Sequence, residues 1–155
     1  MASLNLSSGK KRGCGLVVDA VGIVLAIAGA VVTVMCSTKS ADYALADLPL
    51  YLALVAVAVV LTVLGALAQG RDGVNPLVPT LCSAASVFAL VHVGVKVIGA
   101  RVILASGLFS WNASNKIGWG VFEVSVVATA LLVLAALVLA IAAFLPAFKD
   151  DKAAA

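Results

Sequence analysis

The chain has 155 residues, of which 64% are hydrophobic and only 11% charged, and its formal net charge is +3. A soluble domain carries about a quarter charged residues, and no soluble fold of this length could bury so much apolar side chain, so hydrocarbon must be the solvent for most of it. The small basic excess sits at the ends of apolar runs, where membrane orientation is decided, and no basic–aromatic surface stretch suited to nucleic acid is present.

Residues 1–15 are polar and glycine-rich, carry Lys10, Lys11 and Arg12, and read as a cytoplasmic tail. The first apolar run covers about 16–36, longer than the apolar core of about 7–15 residues in a secretory signal, so it reads as a retained spanning helix. Asp19 lies near its start, either as a proton- or cation-binding carboxylate or as an interfacial acid stabilised by the helix N-terminus. Gly22, Ala26 and Ala30 form a small-residue stripe that would let another helix approach closely. After a polar loop with Lys39, Asp42 and Asp47, the second span covers 48–69 without a charge, with Pro49 in its first turn and a second stripe at Ala58, Thr62 and Ala66. The stretch Gly70-Arg71-Asp72-Gly73 reads as a tight turn.

The third span, about 77–109, is the longest and carries His92, Lys96 and Arg101 in its second half. At about 1.5 Å per residue, Leu81 to Arg101 covers roughly 30 Å, the thickness of the hydrocarbon core, which places Arg101 at the far boundary. His92 and Lys96 are four residues apart and share a face, whereas Arg101 lies on the opposite one. A break at Gly99 would be needed to aim all three at one cavity. A loop bracketed by Trp111 and Trp119 fits an interfacial aromatic belt. The fourth span covers 118–145 with Glu123 as its only charge, is expected to stop at Pro146, and leads into a polar tail over 146–155.

The fold class expected is therefore all-α: a polytopic membrane protein of four antiparallel transmembrane helices, up–down–up–down, in a single domain. Placing the N-terminus inside puts Lys10, Lys11, Arg12, Arg71, Lys149 and Lys152 in the cytoplasm, six basic residues against at most four outside, so both termini are expected to be cytoplasmic in a cell membrane.

The third and fourth spans form a hairpin that brings Glu123 near the depth of Arg101, which makes Glu123–Arg101 or Glu123–Lys96 an expected interhelical ion pair. His92, Lys96, Arg101 and Glu123 are thus the candidate intramembrane polar cluster, with Asp19 as a secondary candidate. Cys14, Cys36 and Cys82 are widely spaced and contain no CxxC, and there is one histidine, so no cofactor or metal is expected. No P-loop, HExxH or GxSxG occurs, and the loops are too short for an appended catalytic domain, which argues against an enzyme. Two functions fit. One is an accessory or interaction subunit whose partners are the lipid bilayer and other membrane subunits or copies of itself. The other is a small oligomeric transporter or channel with an outer-leaflet polar site. Transport needs polar side chains at every depth, but the inner half offers mainly Thr80, Cys82, Ser83 and Ser86.

Overall fold

Backbone polar groups in hydrocarbon must be satisfied within the chain, which leaves the helix as the available structure for each apolar run. The computed structural model describes residues 10–71, 73–145 and 148–150. In chain order these form β1 (Lys10–Arg12), α1 (Cys14–Thr38), a 3-10 turn (Ala41–Tyr43), α2 (Leu48–Gln69), α3 (Leu77–Gly99), α4 (Val102–Ser110), α5 (Lys116–Ala142) and β2 (Phe148–Asp150). Four spans are long and apolar enough to cross a bilayer: α1, α2, the pair α3–α4 taken together, and α5. The expected fold class holds. The expected stop at Pro146 and the tails 1–9 and 151–155 lie outside the described residues.

The spans pack as a ring in which α1 lies against α5, α5 against α3, α3 against α2 and α2 more lightly against α1. Among the described residues the two ends of the chain also meet, in an antiparallel ladder pairing Lys10 with Asp150, Lys11 with Lys149 and Arg12 with Phe148. A ladder this short is marginal by itself; it forms because α1 and α5 already hold its strands at the same end of the bundle. The turn expected at residues 70–73 includes Asp72, which lies outside the described residues; within it Gly73, at φ 84°, takes the left-handed conformation that a side chain would oppose.

Every span is apolar almost all round, so amphipathicity cannot decide which face turns inward. Small residues decide it. The buried line of α5 runs through Gly118, Val121, Ser125, Ala128, Leu132, Ala135, Leu139 and Ala142, an alternation of three and four residues, with Ala136 buried beside it. That spacing keeps one face turned toward a neighbour as two helices supercoil. On α1 the buried positions Gly15, Gly22, Ala26, Gly29, Thr33 and Cys36 follow the same rhythm. The stripe is therefore continued by Gly29 and not by the expected Ala30, which is only half-buried and faces the α2 side. On α2 the buried line is Tyr51, Val55, Ala58, Thr62 and Gly65, so Gly65 stands in the place expected for Ala66.

The contacts are close enough that glycine is required. A β-carbon on Gly29 would lie 2.8 Å from Leu132 Cδ2 and 3.3 Å from the Leu132 backbone nitrogen; one on Gly22 would lie 2.7 Å from Leu139 Cγ. Between α2 and α3 the Ser86 hydroxyl lies 2.9 Å from the Ala58 carbonyl oxygen across the interface and 2.9 Å from that of Cys82 on its own helix. Thr129 of α5 likewise reaches the Gly94 carbonyl of α3 at 3.3 Å. Hydrocarbon gives helices no hydrophobic reason to associate, so this close packing and the few interhelical hydrogen bonds hold the bundle.

Candidate functional site at the break in the third span

The third span is not one helix. α3 ends at Gly99, and the Arg101 amide donates to the Ile98 carbonyl at 2.9 Å, a tightened last turn. α4 then restarts, with the Ala105 amide donating to the Arg101 carbonyl at 2.8 Å. At about 1.5 Å per residue the 23 residues of α3 cover about 34 Å, so α3 alone crosses the hydrocarbon. The break falls at its far boundary, at the end of the bundle remote from the termini.

Arg101 sits at this break, and its side chain turns inward. It is 4% exposed, and its Nε donates to Ser125 Oγ at 3.1 Å. The Ser125 hydroxyl in turn donates a hydrogen bond to the Val121 carbonyl at 2.8 Å. The guanidinium Nη2 has neither a hydrogen-bond partner nor access to solvent. Arg101 follows Val93 and Val97 along the buried line of α3, each one turn on from the last. The carbonyls that end α3 favour a positive charge just beyond them.

The other members of the expected cluster do not join it. His92 and Lys96 share a face, as their spacing requires, but that face points away from the bundle. His92 stacks on Phe88, one turn earlier on the same face, with ring centroids 6.0 Å apart. Lys96 lies in the last turn of α3, where it complements the helix dipole and can extend its ammonium to the membrane boundary. Glu123 is also exposed. Its depth is as expected, because Ser125, two residues further along α5, is level with Arg101. Two residues rotate a helix by about 200°, so when Ser125 faces Arg101, Glu123 faces lipid. The expected ion pairs from Glu123 to Arg101 or Lys96 therefore do not form; serine takes the place of the carboxylate.

Asp19 lies at the opposite end. Because α1 begins at Cys14, Asp19 falls in the second helical turn, not the first, and the helix N-terminus supports it less than expected. It is half-buried and lines a small cleft of about 170 Å³ between α1 and α2, with Leu16, Ile23, Thr62 and Ala66 among its neighbours. The three cysteines are free, and no group of ligands that could hold a metal ion occurs among the described residues.

A set of side-chain bonds ties the loops together around the break. The Leu45 amide donates to Ser37 Oγ at 2.9 Å, Lys39 Nζ to the Gly120 carbonyl at 3.2 Å, and Asn115 Nδ2 to the Tyr43 hydroxyl at 3.1 Å. Asn115 Oδ1 also caps α5 by accepting from the Gly118 amide at 2.9 Å. Phe109, Trp119 and Phe122 pack edge to face beside them, and Trp119 Nε1 donates to the Ala113 carbonyl at 2.9 Å. Inside this frame lies a cavity of about 430 Å³, lined by the 3-10 turn (Asp42, Tyr43), the break (Arg101), α4 (Gly107) and the loop after it (Trp111, Asn112). Residue spacing gave no sign of Asp42, Tyr43 and Ser125 as neighbours of Arg101; only the packing of three spans brings them together. No family model matches the chain, and no curated protein or solved structure matches it either.

Proposed function

We propose that this chain is an accessory or interaction subunit of the cell membrane, with both termini cytoplasmic, working in a larger membrane assembly or as a homo-oligomer. The observation that carries the reading is the contrast between a sealed interior and a grooved exterior. Below Arg101, Ser125 and Thr129 the ring closes on Ala89, Leu90, Val93, Leu132, Ala135 and Leu139, all buried, which leaves no room among the described residues for a wet path along the axis. The lightly packed α1–α2 boundary instead opens outward as an apolar cleft of about 420 Å³, lined by Ile27, Ala30, Val31, Val55, Val59 and Val60. With Ala30 and Ala56 at its lining and branched apolar side chains around them, the cleft suits a helix of another subunit, since close approach is what drives association in lipid. The basic residues at the terminal end and on the α2–α3 turn favour the cytoplasm for that end.

Cysteine at Val60, which is 55% exposed in this cleft, provides the test. Cross-linking in native membranes, followed by gentle extraction and mass measurement, is expected to trap one discrete partner, either a second copy or another membrane protein. A monomer that traps nothing, yet conducts ions in liposomes, would sink this reading in favour of transport. The transport reading now rests on Arg101 alone, because His92, Lys96 and Glu123 face away from the interior.

A further inference from the structure

The guanidinium of Arg101 stays charged at any physiological pH and presents five N–H groups. One is taken by Ser125, and the Nη2 end is buried with no acceptor. A buried charge with unmade hydrogen bonds is among the costliest features a fold can keep. Among the described residues no carboxylate relieves it: Glu123 faces outward, Asp19 is at the other end of the bundle, and no ion pair forms between Arg101 and Asp42, which lines the same cavity. The cavity beside Arg101 is of a size typical for small-molecule sites, about 300–1,000 Å³. One wall is apolar (Ile103, Leu104, Leu108), while Tyr43, Asn112 and the indole of Trp111 bring polar groups. The Trp111 ring passes within 3.8–3.9 Å of where a β-carbon on Gly107 would stand, so glycine keeps that wall thin.

We infer that this cavity is a binding site for a single anionic group, a phosphate or carboxylate, held by Arg101 and carried on a molecule whose remainder is neutral or cationic. With Nε given to Ser125 and Nη2 closed off from solvent, Nη1 is the group left to donate to an oxygen of either anion, in a charge-assisted hydrogen bond. Asp42, which lines the same cavity, sets the restriction on the remainder: it repels a second negative charge and attracts an ammonium. The position at the membrane boundary admits two sources for this chemistry, the headgroup of a phospholipid or a small soluble anion. The site does not depend on the association reading, because it lies within one copy of the chain and on the other side of the break from the α1–α2 cleft.

The test uses the full chain, delipidated in a neutral maltoside detergent and measured by native mass spectrometry and thermal unfolding. Phosphatidylethanolamine is compared with diacylglycerol of the same tails, and in a separate arm phosphoethanolamine and butyrate are added as soluble probes. A lipid source gives at least tenfold stronger retention of phosphatidylethanolamine than of diacylglycerol. A soluble source gives a saturable rise in Tm with phosphoethanolamine or butyrate. In either case Arg101→Gln should weaken binding at least tenfold. Because that variant can fail to fold, Gly107→Leu serves as a second one, filling the cavity while leaving the Arg101–Ser125 bond intact. Asp42→Asn should admit a phosphatidylinositol monophosphate, whose headgroup carries a second anionic group and which the unaltered chain discriminates against. No preference for any probe, or binding undiminished in both Arg101→Gln and Gly107→Leu, would overturn the inference, whatever the oligomeric state proves to be.

Discussion

Replacing Gly29 by valine tests the claim that glycine contacts, not apolar burial, hold α1 to α5. The new β-carbon would stand 2.8–2.9 Å from the side chain of Leu132 and 3.3 Å from its backbone nitrogen. Leu132 is fully buried, so it has nowhere to swing, and the backbone atom cannot move without the helix. Overpacking of this kind costs about 1–3 kcal/mol, while the better helix propensity of valine over glycine returns only a few tenths, roughly 0.3 kcal/mol. Reversible unfolding in mixed micelles with a denaturing detergent measures the difference. Gly99→Ala is the matched control: nothing lies within 4 Å of its β-carbon, so it should be neutral or gain up to about 1 kcal/mol. Leu132→Ala alone should cost about 2–5 kcal/mol, toward the lower end because lipid and not water bathes the unfolded reference. Combined with Gly29→Val, it empties the space the valine needs, and the pair should fall short of additivity by about 0.5–3 kcal/mol. A Gly29→Val protein as stable as the unaltered chain, or strictly additive losses in the double variant, would refute the packing argument.

Ser125→Ala removes the acceptor for Arg101 Nε while leaving the guanidinium in place, and the same assay should report a loss of about 1.5–3 kcal/mol, as expected for a hydrogen bond to a charged group. Glu123→Gln, by contrast, should change stability by no more than about 0.5 kcal/mol, because Glu123 faces outward without an ion pair; a large loss would restore the carboxylate partner that the fold lacks. Sidedness can be read with an impermeant thiol reagent. Native Cys36 is fully buried, with its thiol donating to the Thr33 carbonyl at 3.2 Å, and should not react from either side. Cysteine placed at exposed Ser114, in the α4–α5 loop, should react from outside intact cells; labelling only after the cells are opened would invert the assigned orientation.

Sequence alone determined that four helices cross the membrane, because a chain this apolar and this poor in charge has no other way to satisfy its backbone in hydrocarbon. It also determined that His92 and Lys96 share a face that Arg101 does not, since the rotation per residue is fixed whatever surrounds the helix. It did not determine which face turns inward. In helices apolar all round, that choice rests on where a neighbour's backbone can come closest. Stripes read at strict four-residue spacing drift around the helix, so they pointed to Ala30 and Ala66, whereas the three–four alternation of supercoiled packing selects Gly29 and Gly65. Nor could spacing distinguish Glu123 from Ser125 as the partner of Arg101: the two lie at nearly the same depth, and only the orientation of α5 against α3 decides between them. The cavity at the break is more remote still from the sequence, because its walls come from the α1–α2 loop, the interrupted third span and the α4–α5 loop, segments that meet only once the ring of helices has closed.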